Sequence, residues 1–550
     1  MLEIILYWIL LIPLFMAWGM LTQDAIIYVW QFEKREYNVC ILLLLGICIV
    51  GLLANLISFF YPLGNDCYPL IILYIIAGVS LFNKRNELKH HMAKSDFSVI
   101  KIGIFITLLA LILIKSASPS ELLDEKGYYL PFIKWIEEYG ITTGLANVLG
   151  RFGFNSAWHI TSALLSLRWS GFLFYDLNGF LILVVIAYNL FGIDKEKTPM
   201  RFAAGLFVSA FIFRNFITSS SSDLPNIYLT STLILFLIEK FEKKNLAEID
   251  FTFVAAFVIA CFNVTLKPSS LYMMLIFAPT ISMYLYYKKA ATLCKLILLG
   301  LLFAVPWLAR FYITTGYIIY PVPGLDLFNP EWKVPAWSVL DEYLAVKTFP
   351  ISDTLPAKEI IKMSVQDWFP MWFKNGFMEN KVFFVASIIF TLYYAIRFKK
   401  FLRSTNDLLL GCVILVIMCN IAIWFFQYPD FRFAWGYILL YVFLGAYLLA
   451  TDLSFDNRKI IIAVYIFLIA MTCMHFIKTI KDSKNYLKEI LITQASFPKG
   501  EVKERHINNM IFYESDKQWD LPLPSILWWQ KPKIELRDKD MSKGFKPKSK

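Results

Sequence analysis

Charged residues are scarce in this 550-residue chain. Only 17% of its positions are Asp, Glu, Lys or Arg, against about 25% in an ordinary soluble domain. That deficit excludes a molecule whose whole surface is wetted. Cysteine is sparse and dispersed. Cys40, Cys48, Cys67, Cys261, Cys294, Cys412, Cys419 and Cys473 include no CxxC pair and lie mostly within or beside apolar runs. A disulfide frame and a cysteine-based zinc site are therefore excluded, and the thiols read as small buried hydrophobes. Histidine numbers five. His90 and His91 fall together in a basic loop, and His159 has no obvious ligand partner in sequence. The chain has no Walker A loop, no dinucleotide glycine fingerprint, no HExxH and no nucleophile elbow. Internal repeats and long low-complexity tracts are also missing. The first apolar run lacks a basic leader and a small-residue cleavage site, so it is expected to remain as a helix.

What is abundant is hydrophobic surface: 58% of residues are hydrophobic and 17% aromatic. About fourteen apolar runs approach the roughly 20 residues that cross a bilayer core of about 30 Å. They fall near 4–21, 39–60, 68–83, 100–116, 172–191, 200–217, 225–240, 251–266, 269–287, 293–313, 382–397, 407–426, 433–451 and 459–478. The expected fold is all-α, a polytopic transmembrane helix bundle. Its aromatics are expected between helices and in the interfacial belts.

The formal net charge is +11, but the basic residues sit in short loops between apolar runs, which argues against nucleic acid as a partner. Lys34 and Arg35; Lys84, Arg85, Lys89 and Lys94; Lys195, Lys197 and Arg201; Lys240, Lys243 and Lys244; Lys288, Lys289 and Lys295; Arg397, Lys399, Lys400 and Arg403; and Arg458 and Lys459 mark alternate loops. The short loops between them, near 61–67, 217–224 and 427–432, carry almost no Lys or Arg. The positive-inside rule makes the basic set cytoplasmic. Both termini, the long segments 117–171 and 314–381 and the tail after about residue 479 are then external. Three parts follow: N-terminal spans over 1–99, a core over 100–478, and an extracytoplasmic tail over 479–550 with an aromatic patch around Trp519 to Trp529 and a basic end, GFKPKSK. Residues 131–140, PFIKWIEEYG, read as a short amphipathic helix entered through proline and closed by glycine, suited to lying on a membrane surface.

Ionisable side chains at span ends are expensive and become functional candidates. By this topology five places qualify, all external. In ELLDEKGYYL, the adjacent carboxylates of Asp124 and Glu125 suit a general base, a divalent ion (Mg or Mn) or a solvated loop. Tyr128 and Tyr129 follow them and suit a pocket wall. In SSSSDLPNIYL, Asp223 is either functional or, with Ser222, a helix N-cap. Lys267 lies between two apolar runs and either snorkels to the interface or neutralises a phosphate. Arg310 precedes a segment rich in Gly and Pro, where irregular backbone at membrane depth implies a cavity; an interfacial anchor is the alternative. In FFQYPDFRFAWG, Asp430 and Arg432 make either a local ion pair or a paired-donor site for phosphate.

A span followed by an external acidic loop, amphipathic helices and many further spans resembles the GT-C class of membrane glycosyltransferases, which includes the protein O-mannosyltransferases and the lipid A aminoarabinose transferase. The segments DEKGYYLPFIKWIEEYGITTGLANVLGRFGFNSAW, GYIIYPVPGLDLFNPEWKVP and YPDFRFAWG are also similar to those of a group of bacterial polytopic proteins related to that class. The resemblance covers most of the chain after about residue 100. It implies an enzyme of the bacterial cytoplasmic membrane that works on the external face. Sugar would pass from a polyprenyl-phosphate donor to a glycan, lipid or protein acceptor. Asp124 matches the class aspartate, the general base, with Glu125 supporting acceptor or metal. Lys267, Arg310 and Arg432 match in location the cations that hold a lipid phosphate. Tyr128, Tyr129, Arg151, Asp223 and Asp430 complete the expected substrate-binding set. In the class pattern the catalytic loop follows the first span, whereas here about three spans precede it. A lipid-linked polysaccharide polymerase or ligase and a non-enzymatic transporter or flippase are the alternatives.

Overall fold

The computed structural model describes all residues except 34–36, 88–97, 121, 213–216, 495–499, 509, 529, 531 and 549–550. Lys34, Arg35, Lys89, His90, His91, Lys94 and Trp529 therefore lie outside the described residues, as does the end of the basic tail. The chain is an all-α polytopic bundle. Ten helices among the described residues are long and apolar enough to cross a membrane: Leu2–Trp30, Val39–Ile57, Val99–Ala117, Asp223–Glu242, Pro268–Tyr286, Ala290–Thr315, Met378–Ile396, Thr405–Gln427, Trp435–Asp452 and Asn457–Ser483. The expected runs near 68–83, 172–191 and 251–266 form shorter apolar helices, Tyr68–Asn83, Leu177–Phe191 and Phe251–Leu266. The run near 200–217 is helical over Pro199–Ser209. Among the described residues the fourteen apolar stretches thus resolve into ten helices long enough to cross and four shorter ones, because hydropathy reports burial and lipid exposure alike.

Local sequence sets the ends of these helices. Asn38 accepts from Cys40 N at 2.9 Å and Asp250 from Phe253 N at 2.9 Å, satisfying N–H groups that the first helical turn leaves unpaired. Burial separates a dry centre from a lipid-facing rim. In Asp223–Glu242, 89% of the most apolar stretch is buried, but only 11% in Asn457–Ser483. On the latter, Ile462, Ile466, Ile469 and Ile477 are exposed at helical spacing, a stripe that only an apolar solvent would accept.

The first two helices cross at backbone contact. A Cβ on Gly19 would overlap the Leu42 carbonyl, and one on Gly46 the Phe15 carbonyl, the small-residue packing by which membrane helices approach closely. Gly46→Leu is expected to separate this pair and lower the thermal midpoint of the detergent-solubilised protein by several degrees, as for an overpacked core position. An unchanged midpoint would disprove the close crossing. Residues 1–99 are not set apart: Val39–Ile57 packs on Ala157–Leu165, Phe251–Leu266 and Leu177–Phe191.

The loops sort into two ends. At one, Lys240 pairs with Asp250 at 2.7 Å, Met200 N and Arg201 N donate to Glu242 at 2.8 Å, Asn406 donates to the Phe241 carbonyl at 2.8 Å, and Lys295 donates to the Val29 carbonyl at 2.7 Å. These are the basic loops. At the other, the tail packs on the segment after Asp124. Gln518 N donates to the Lys126 carbonyl at 3.2 Å and Phe545 N to the Thr143 carbonyl at 2.9 Å. Asp520 pairs with Lys134 at 2.9 Å and Arg168 at 2.8 Å. Met1–Glu3 and residues 490–492 share backbone bonds, so both chain ends meet this side of the bundle. Helix Asp223–Glu242, 20 residues and so about 30 Å long, runs between the two.

In the tail, Lys503–Ile507, Met510–Glu514 and Ser525–Ile526 form a three-stranded sheet and Ile534–Leu536 pairs with Phe545–Pro547. One expectation changes here. The amphipathic helix Leu130–Tyr139 does not lie on a membrane surface. Residues Leu130 to Glu137 are all buried, because the tail and Ala157–Leu165 cover the faces that sequence reads as amphipathic.

Candidate functional site

After Val99–Ala117 the chain makes a single π-turn, Glu125–Tyr129, running directly into Leu130–Tyr139. Such a widened turn is frequent at functional sites. Here the two adjacent carboxylates have different surroundings. Asp124 stays partly exposed, its side chain 29% accessible. Glu125 turns inward and accepts from Ser220 N at 3.0 Å and Ser220 Oγ at 2.9 Å.

Asp124 meets cations from two other segments. Arg151, on the short turn Gly150–Phe154, places Nη1 2.5 Å from Asp124 Oδ1. Arg432, on the turn Phe431–Phe433 between two spans, places Nη1 3.8 Å from Asp124 Oδ2 and 3.7 Å from Asp223 Oδ2. Its Nε donates to Asp430 Oδ2 at 2.7 Å, and Asp430 Oδ1 also accepts from Arg432 N at 2.9 Å. The local ion pair is therefore present, and it holds the rest of the guanidinium toward Asp124 and Asp223.

Asp223 is buried at the start of its helix, where it makes no capping bond, and neither does Ser222. Instead it pairs with Lys267 and accepts from Ser221 Oγ at 3.0 Å. The Lys267 ammonium lies 4.2 Å from the centre of the Phe433 ring. Lys267 thus neither snorkels outward nor stands unpaired. Three cations (Arg151, Lys267 and Arg432) and three carboxylates (Asp124, Asp223 and Asp430) form one neutral cluster drawn from five separate stretches of chain.

Tyr128 and Tyr129 back the cluster from beneath, packed on His159 at ring separations of 5.6 and 5.0 Å. His159 is fully buried, and burial first, with the Lys267 charge second, pushes its imidazole down to about 3. It is a neutral packing partner. Sequence reading missed His159, Ser220 and Ser221 as neighbours of the site. Only the serine run beside Asp223 hinted at them, since the contacts join residues about 30 to 95 apart in sequence. Arg310 lies apart from the cluster. It is buried and donates to Ser58 Oγ at 2.6 Å and the Gly140 carbonyl at 3.4 Å, bracing loops against its own helix.

The donor set does not suit the divalent ion considered for Asp124 and Glu125. Among the described residues no group of three or more His, Cys, Asp or Glu side chains is arranged to hold a metal. Glu125 faces Ser220 and Asp124 faces arginines. Burial is the main cause that pushes the Glu125 carboxyl up to about 8, against the lowering effect of the Ser220 bonds, with the Asp124 charge adding to the rise. The folded state then keeps a proton that the unfolded chain releases above about 4.5. Stability from this group is full below that value and falls as pH rises to about 8. Glu125→Gln, neutral at every pH, is expected to fold and to show a thermal midpoint that rises relative to wild type between pH 5 and about 8.5. A constant difference across that range would show Glu125 to be ionised throughout.

A family model described as a domain of unknown function, DUF8201, matches residues 1–439. No curated protein and no solved structure matches the chain.

Proposed function

The chain belongs to the DUF8201 family, and we propose that it transfers a sugar from a polyprenyl-phosphate donor to an acceptor hydroxyl at the face away from the cytoplasm. The observation that carries this reading is the convergence of Asp124 with Arg151, Arg432 and Lys267 at the end of the bundle opposite the basic loops. Nucleotide sugars are cytosolic, so a site on that face requires a lipid-borne donor. A phosphate entering the cluster would compete with the carboxylates for the same cations, and planar guanidinium donors suit phosphate oxygens.

In the proposed step, Asp124 takes the proton from the acceptor hydroxyl. The acceptor oxygen bonds to the anomeric carbon as the bond from that carbon to the phosphate oxygen breaks. The electron pair leaves on the phosphate, where Arg432 or Lys267 stabilises the growing charge. Attack and departure on opposite faces of the sugar invert the anomeric centre. The carboxylates Asp223 and Asp430 hold the cations in place between turnovers. Membership of a bacterial cytoplasmic membrane is part of this proposal, as are external termini.

The deciding experiment is incubation of the purified chain in nanodiscs with a panel of labelled polyprenyl-phosphate sugars, extracting lipid and acceptor fractions. Label moving from lipid to an acceptor supports the reading; label that stays on intact lipid across the whole panel refutes it.

One observation favours a transporter. A polar ladder descends from the site into the bundle: Asn226 donates to Asn263 at 3.2 Å and to Ser270, and Asn263 donates to Thr230 at 2.8 Å. A flippase would move intact lipid-linked sugar between the leaflets of sealed vesicles, and this assay separates the two readings.

A further inference from the structure

The second long loop reaches the cluster through one side chain that none of the sequence motifs singled out. Glu342, on the helix Ala336–Thr348, packs against Gly150: a Cβ there would stand 2.6 Å from Glu342 Oε1 and 2.8 Å from its Cγ. Any side chain at position 150 would push this carboxyl away, and position 150 directly precedes Arg151. The glycine therefore lets Glu342 approach the backbone that carries Arg151, and the two side chains feel each other's charge. Arg151 is already bonded to Asp124 at 2.5 Å, and Glu342 makes no ion pair among the described residues. Two carboxyls thus flank one guanidinium, and only one of them has it.

While Arg151 Nη1 bonds Asp124 Oδ1, that oxygen is not free to receive a proton from an acceptor hydroxyl. For Asp124 to work as a base, Arg151 has to loosen its grip, and a free guanidinium needs somewhere to go. We propose that Glu342 is a positioning residue that takes Arg151 when Asp124 acts, so that the second external loop controls the basicity of the base. The inference rests on the reading of Asp124 as that base.

The groups facing the two carboxyls are consistent with the exchange. Asp124 is faced by Arg151, Arg432, Lys267, Glu125, Glu342, Tyr128 and Tyr129. Glu342 is faced by Arg151, Asp341, Tyr128 and Tyr320. Burial pushes the Glu342 carboxyl up, while Arg151 lowers it and the Asp341 and Asp124 charges raise it. Arg151 is the cation the two share. Arg432, tied to Asp430, stays by Asp124, and the proton that Asp124 takes up offsets the positive charge that Arg151 carries away.

The test does not require activity. The full chain in nanodiscs is treated with a hydrophobic carbodiimide at mildly acidic pH, which labels protonated carboxyls. Fragment-ion mass spectrometry then reads Asp124 and Glu125 separately. Glu342→Gln leaves Arg151 clamped on Asp124, so labelling of Asp124 is expected to fall about tenfold, the change that one pKa unit produces. Glu342→Asp restores it, and Glu125 labelling, an internal check on the fold, stays constant. With Arg151→Met in the background, Glu342→Gln no longer changes Asp124 labelling. Wild-type labelling in Glu342→Gln, or a fall that persists with Arg151→Met and so comes from the Glu342 charge alone, overturns the proposal. In transfer assays Glu342→Gln is expected to lower kcat at unchanged KM and to move the acid limb of the pH profile downward. A chain that shows the labelling pattern but transfers no sugar refutes the transferase reading and leaves the shared guanidinium standing.

Discussion

Replacing Asp124 by asparagine is expected to lower kcat by about 100- to 10,000-fold, the range a positioned general base supplies, with little change in folding. The second half of that expectation comes from exposure and partners. Asp124 is partly open, and its bonds go to Arg151 and Arg432, both of which are also partly exposed. Loss of its charge leaves Arg151 partly exposed and under the influence of the Glu342 charge, and Arg432 on Asp430, so no cation is stranded in a dry interior. Asparagine keeps the shape and still accepts a bond from Arg151. The measurement is single-turnover transfer beside a thermal midpoint in the same detergent. Full activity in Asp124→Asn would remove this residue as the base. A collapse of the midpoint would make its role structural.

The Lys267–Asp223 pair should behave in the opposite way. Asp223 is buried and Lys267 nearly so, with side chains 1% and 17% accessible. Lys267→Met leaves the Asp223 carboxylate in a low-dielectric interior with only Arg432, 3.7 Å away, as a partial counter-ion. Breaking one side of a buried pair costs about 3–5 kcal/mol, whereas replacing both sides is often close to neutral. Lys267→Met is therefore expected to lower stability by about that amount, and Lys267→Met with Asp223→Asn to recover most of it. Both variants are expected to lose affinity for the phosphate donor, because both remove one of three cations. Additive losses in the double variant would show that the two side chains are not energetically paired.

These two predictions differ because neighbouring acids can sit in different solvents, and sequence does not report the solvent. Asp124 and Asp223 each lie at the end of an apolar run beside hydroxyl or aromatic residues. Local pattern alone permits a helix cap for Asp223, as it permits a snorkelling Lys267. What removes both readings is the meeting of the two side chains across 44 residues of sequence. Arg310 shows the reverse. Its position at a span end suited a phosphate ligand, yet Ser58 and Gly140, far away in the chain, claim its donors. Glu125 and Asp124 are adjacent, and only their distant partners, Ser220 for one and Arg151 for the other, show which is buried and which is open. The tail's strands were equally hidden, since short segments such as Lys503–Ile507 owe their pairing to partners and not to their own periodicity.

By itself the sequence determined that this chain lives in a membrane, roughly where it crosses, and which loops share an end. Those properties follow from local composition: apolar runs have to match the bilayer thickness, and short loops keep their charge where it is tolerated. Tertiary structure alone decided which charges are neighbours, which carboxyl is open and which is buried, and that the second long loop touches the first. Those properties depend on contacts between residues tens to hundreds of positions apart, which no local pattern encodes.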